Sequence, residues 1–160
     1  MKSEGTKLYN LGFSTIMLYL FPQLWYISLP FNFVIDSIVL LLGLKIYGKE
    51  NIFYNYRKSI LKIWLFGYLA DIIGSVVQCG IDVIAGMGFY SGSVVVNPLG
   101  GVFPLFATLF SVAVSGVLIY VFNLKICLKT ALLEEKDKKK ISLLIAICTA
   151  PYMFFIPAIF

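Results

Sequence analysis

Tyr68, Asp71, Ser75, Gln78 and Asp82 recur at i, i+3, i+7, i+10 and i+14. On an α-helix that spacing lays five polar side chains along one stripe. Leu65, Ile72, Ile73 and Val76 occupy the other side. An acid in such apolar company takes up a proton or holds a cation, because an isolated buried carboxylate is too costly. The chemistry on offer is therefore proton exchange, small-cation binding, or hydrogen bonding between helices. Asp36 is a second acid in an apolar run, with Asn32 one turn before it, and Thr108, Ser111 and Ser115 share a face at i, i+3, i+7.

Other chemistries are poorly supplied. The chain has no histidine, so His-based general bases, Ser–His and Cys–His nucleophile pairs and histidine metal sites are excluded. Cys79, Cys127 and Cys148 form no CxxC pair, and their separation along the chain places them at different depths, as apolar thiols rather than a disulfide. An aspartyl dyad fails on geometry. Asp71 and Asp82 are roughly 16 Å apart along a helix, whereas a dyad needs about 3 Å. No cofactor, metal site or catalytic constellation is expected, and the chain does not read as an enzyme.

The elements that position these groups follow from composition. Of 160 residues, 60% are hydrophobic and 13% charged, with mean hydropathy +0.92. A soluble domain runs nearer about 45–50% apolar and about 25% charged. Apolar runs long enough to cross a bilayer, about 17–25 residues, predict an all-α polytopic membrane bundle forming one domain. Five transmembrane spans are expected, at about 8–27, 30–47, 60–84, 102–124 and 141–160. The run from Leu8 to Tyr47 would be roughly 60 Å as one helix, so it must turn. Pro22 and Pro30 mark the hairpin, with Ser28 as an N-cap and Pro30 in the first turn of span two. A re-entrant first hairpin, leaving four spans, is the alternative. Residues 85–101 hold five glycines, Asn97 and Pro98 and read as an outer loop, with Val94–Val96 as a short extended piece. Residues 48–59 and 125–140 read as cytoplasmic loops, the second continuing span four as helix and turning near Asp137.

Orientation rests on charge. The 13 basic residues fall in three places: two before span one, five between spans two and three, six between spans four and five. An alternating path puts all three on one face, which the positive-inside rule makes cytoplasmic, with the N-terminus inside and the C-terminus outside. The net charge of +5 is thus a topology signal and implies no nucleic-acid partner. One arginine against twelve lysines, with abundant Ile, Phe and Tyr, points to an AT-rich genome and a bacterial plasma membrane. Neither a cleavage site after residues 8–20 nor a lipidation motif is expected.

Within this frame Asp71 lies roughly 16 Å along span three, near mid-membrane, and Asp36 roughly 9 Å in from Pro30. Asn32, Asp36, Gln78, Asp82, Thr108 and Ser111 would line an outward-facing vestibule, with Asp71 as its floor and Ser75 on the same stripe. Ala70-x-x-x-Gly74 beside the stripe permits close helix approach. Lys49, Arg57, Lys58 and Lys62, interleaved with aromatics, are candidates for lipid headgroups. The function expected is that of a small transporter or channel-like protein for a proton, cation or small solute. The alternative is an accessory or assembly subunit of a larger membrane complex. So small a bundle encloses little volume, so a homo-oligomer or a larger assembly in the lipid bilayer is the expected partner state.

Overall fold

The computed structural model describes residues 25–48, 50–88 and 91–157. Most of the expected first span, its lysines, and Lys49 lie outside the described residues, as does the end of the expected fifth span. The described residues are helical without strands. Three helices are long and apolar enough to span a membrane: Trp25–Gly48, Ile52–Gly86 and Val102–Cys127.

Helix α1, Trp25–Gly43, runs into a π turn, Leu44–Gly48. The turn expected at Ser28–Pro30 does not occur there, because those residues are already helical and Pro30 lies inside the helix. Proline removes one intrahelical donor, a defect that membrane helices tolerate when a neighbour supplies polar contacts. The acceptor freed by Pro30 is the Tyr26 carbonyl, four residues earlier; the Trp64 indole N–H donates to the Leu29 carbonyl at 2.9 Å and ties this end of α1 to the next helix.

Helix α2, Ile52–Gly86, has 35 residues and is about 52 Å long. It begins well before residue 60, where the loop was expected to end. Two things draw these turns into helix. Ile52 and Tyr56 pack on the main core, and the buried Asn55 bonds the Leu132 backbone. Asn51 precedes the helix with φ 51°, a left-handed conformation that asparagine tolerates better than most residues.

Helix α3, Val102–Phe122, ends in a second π turn, Asn123–Cys127. Helix α4, Glu135–Thr149, follows after a connector that turns over residues 128–134 rather than near Asp137. Asn55 fixes that position. Its amide oxygen accepts from the Leu132 N–H at 2.8 Å and its NH₂ donates to the Leu132 carbonyl at 3.5 Å. Glu135 and Asp137 then sit in the first turn of α4, where the helix dipole favours acids.

The expected fifth span is not one helix. Pro151 pushes the residue before it to extended backbone, and Ala150 adopts φ −56°, ψ 148°. Helix α4 stops at Thr149, and a 3₁₀ turn, Tyr152–Phe155, follows. Only about 14 Å of helix lies beyond Lys140.

The four helices form a ring, in which α1 packs on α2 and α4, and α3 packs on α2 and α4. The two basic connectors meet at one end of this ring. Asn55 holds Leu132, a Cβ on Gly48 would lie 3.1 Å from Leu133, and the Lys140 ammonium sits 5.1 Å from the Tyr47 ring centre. Around the outside, Leu65 is 58% exposed, and Val76, Phe106, Phe110, Val117 and Ile147 are also exposed. Inside, Asp36, Asn55, Ser59, Asp71, Ser75, Gln78, Thr108, Ser111 and Ser115 are buried. A soluble fold has the opposite distribution. Hydrocarbon is a solvent that suits this one, so the described helices are compatible with a multi-pass membrane protein.

Candidate functional site

The stripe on α2 points into the ring. Asp71 is 2% exposed and Gln78 0%, while Val76, on the other face, is 56% exposed. The reason is that α2 has one strongly polar face and the ring interior is the place where it meets other polar groups. Helix α1 answers with Ser28, Asn32 and Asp36 at i, i+4, i+8, and α3 with Thr108, Ser111 and Ser115.

Contacts between these faces are specific. The Asn32 amide donates to one Asp71 carboxylate oxygen at 3.2 Å. The Gln78 amide donates to the Thr108 hydroxyl at 3.1 Å. The Ser115 hydroxyl donates across the helix pair to the Ala70 carbonyl at 3.0 Å, and Ser28 and Tyr68 hydroxyls pair at 2.8 Å. Ser75 and Ser111 donate back to the carbonyls of Asp71 and Ala107, four residues earlier. Gly74 makes the α2–α3 approach possible. A Cβ there would fall 1.9 Å from the Ser115 oxygen, 3.2 Å from the Ser111 carbonyl and 3.3 Å from Phe154.

Asp36 packs over Gly67, where a Cβ would lie 3.5 Å from its carboxylate. Gly67 is one turn nearer the basic end than Asp71, so Asp36 is the acid of the cluster nearest that end. Asn32, which holds Asp71, lies one turn from Asp36 on α1, so the two carboxyls are neighbours in the ring interior. Toward the basic end, the π turn after α3 holds the buried Cys127 thiol.

Three buried acceptors here have no hydrogen-bond partner among the described residues: Asp71 Oδ1, Asp36 Oδ2 and Gln78 Oε1. Nor does an ammonium or guanidinium pair with them, for the single ion pair among the described residues is Lys138–Glu135 on the surface. Buried acceptors in a low-dielectric interior carry a high free-energy cost unless a proton or cation answers them. No group of three metal-ligating side chains occurs among the described residues.

Asp82 stands apart from this cluster. Its carboxylate accepts from the Ser93 hydroxyl at 2.9 Å and from the Val94 backbone N–H. It therefore holds the loop that follows α2 down on the end of that helix. The expected extended piece Val94–Val96 is a turn instead, wound about that carboxylate, with Val94 fully buried. Arg57 and Lys58 are exposed on the first turns of α2, over the Phe53 and Tyr54 rings at 5.3 and 5.7 Å, and Lys62 is half-buried. Of the thiols, Cys127 is buried as expected, but Cys79 is half-buried and Cys148 is exposed. Cys148 falls on the outward face of α4, between Ile147 and the helix end.

Ser28, Trp64, Asn55 and Ser115 carry contacts that reading the stripe alone does not supply. Ser28 continues the Asn32–Asp36 spacing and had that signal, which the proline beside it obscured. Asn55 had none, because its partner is a backbone 77 residues away.

The fold and the buried polar cluster define a class, an all-helical protein whose apolar helices are compatible with a multi-pass membrane protein. Comparison with protein-family models, curated proteins and solved structures finds no match.

Proposed function

We propose that the protein conducts or exchanges protons, or a small cation, across a bacterial plasma membrane, using Asp71 and Asp36. One observation carries this reading. Two neighbouring buried carboxyls each keep an oxygen without a hydrogen-bond partner, and no described cation neutralises either. Membrane hydrogen bonds contribute only about 0.6 kcal/mol on average, which is small beside the roughly 2.5–3.5 kcal/mol an acid costs at a helix centre. Helix adhesion alone is thus a poor return for two acids. Exchange of a proton or cation gives them a role.

The route runs along the ring interior. From the outer end, Gln78 with Thr108, then Ser75 and Ser111, lead to Asp71 with Asn32. Asp36 continues toward Cys127 and Lys62 at the basic end. Asp82 is omitted, since the loop occupies its carboxylate. The proposed topology places the basic end in the cytoplasm, by the positive-inside rule. It keeps five membrane segments with the N-terminus inside and the C-terminus outside, α4 entering as a half-helix that stops at Thr149. Arg57, Lys58, Lys62 and Lys49 would then meet lipid headgroups. Assembly as a homo-oligomer or within a larger complex belongs to the same proposal.

The test is flux in proteoliposomes under an imposed pH or cation gradient, followed with an entrapped indicator dye. Wild-type protein dissipates the gradient, and Asp71→Asn and Asp36→Asn, folded by circular dichroism, do not. Unchanged flux in both variants removes the acids from any conducting role. No flux in the wild type, together with stoichiometric co-purification of another membrane protein in mild detergent, supports the accessory-subunit reading instead.

A further inference from the structure

Helices α3 and α4 leave between them a groove of about 590 Å³ that faces away from the acid cluster. Its bed is made of small residues, Ala113 and Gly116 on α3 and Ala146 and Ala150 on α4. A Cβ on Gly116 would sit 4.0 Å from the Ala146 carbonyl, so the two backbones run close beneath it. Exposed Val117, Leu143 and Ile147 form the walls. At one end stand Lys139 and Lys140, with Tyr120 beside them, and at the other Tyr152.

The groove's two ends differ in charge, and this selects its occupant. Among the described residues the only ion pair is Lys138 with Glu135, which leaves Lys139 and Lys140 without a carboxylate. Lys140 rests on the Tyr47 ring, a contact that keeps its charge. Asp137 is the nearest remaining acid in sequence, and it is half-buried one turn before. From Lys140 to Thr149 the helix rises about 14 Å, close to half of a roughly 30 Å hydrocarbon core. The break at Pro151 then closes the groove near the midplane. A slot one leaflet deep, apolar along its length and cationic at its mouth, matches one kind of molecule.

We propose that this groove binds an anionic phospholipid of the leaflet that carries the basic connectors, one acyl chain lying over Ala113 and Gly116 and the phosphate held by Lys139 and Lys140. The chain's own N-terminal segment 1–24 brings one acid, Glu4, together with two lysines, Lys2 and Lys7, and so no net negative charge to answer those two ammoniums. A second copy of the protein would bring its own lysines to the same mouth.

Native mass spectrometry in a mild detergent, with titrated phosphatidylglycerol or phosphatidylcholine, tests this on the whole protein. Wild type is expected to retain one phosphatidylglycerol in preference to phosphatidylcholine. With a factor of about five for each lysine, the exposed-site double variant Lys139→Gln, Lys140→Gln should weaken phosphatidylglycerol binding about 25-fold and leave phosphatidylcholine unaffected. Ala113 is exposed, so Ala113→Phe fills the groove without entering the core and should abolish retention of both lipids. Equal retention of the two lipids by wild type overturns the proposal. So does indifference to Ala113→Phe, which would place the lipid on the basic surface alone, or a species of twice the mass in place of the lipid adduct.

Discussion

Replacing Gly74 with alanine adds one methyl group at the tightest point between α2 and α3. The new Cβ would fall 1.9 Å from Ser115 Oγ, so the hydroxyl must leave and its bond to the Ala70 carbonyl is lost. A membrane hydrogen bond of this kind is worth about 0.6 kcal/mol, and at most about 1.7. Rotating Ser115 does not finish the matter, for the Ser111 carbonyl stands 3.2 Å from the same Cβ and Phe154 3.3 Å. Overpacking of this degree costs about 1–3 kcal/mol. Against it, alanine gains about 0.5–1 kcal/mol over glycine within a helix. The net expectation is a loss of about 1–3 kcal/mol. Reversible unfolding in mixed micelles, monitored by far-ultraviolet circular dichroism, measures it. Ser115→Ala removes the oxygen that the methyl group would strike. The double variant should therefore be more stable than the sum of the single effects requires, by about 1 kcal/mol or more. Stability of Gly74→Ala equal to or above wild type, or strict additivity with Ser115→Ala, would show that the helices do not approach as described.

Three other outcomes follow from particular contacts. Asn55→Ala removes both bonds to the Leu132 backbone and should destabilise by about 1–3 kcal/mol, with faster amide exchange over residues 128–134 in hydrogen–deuterium mass spectrometry. Asp82→Ala should free the loop between α2 and α3, so that limited proteolysis cuts within residues 91–97 while α2 and α3 stay intact; uncut protein would mean that the carboxylate does not hold the loop. In detergent micelles a small maleimide should modify Cys148 far faster than Cys127, and equal rates would contradict the burial of Cys127 in the π turn.

The apolar composition made the solvent legible, and the i, i+3, i+7 spacing made the inward face of α2 legible, because both depend only on local sequence. Ala70-x-x-x-Gly74 was readable for the same reason, since close approach requires small residues whatever the partner. Helix ends were less so. Pro30 reads as a start, yet α1 already includes it, with a tryptophan from α2 donating beside it. Hydropathy carries an apolar run through Pro151, but proline geometry stops α4 at Thr149. The start of α2 depends on Asn55 finding Leu132, a long-range match that no local pattern encodes. Asp82 illustrates a different limit, because membership of a stripe says which way a side chain points and not what already occupies it.

The account depends on the acid-bearing face of α2 being turned away from lipid. Nitroxide labels placed singly along 65–83 in liposomes, with oxygen as the apolar relaxation agent and a nickel chelate as the aqueous one, test this directly. Labels at Leu65, Leu69, Val76 and Val83 should show high oxygen accessibility, and labels at Ser75 and Gln78 low, giving a period of about 3.6 residues. Oxygen accessibility highest at Ser75 and Gln78, or nickel accessibility along the whole outer face, would contradict the arrangement.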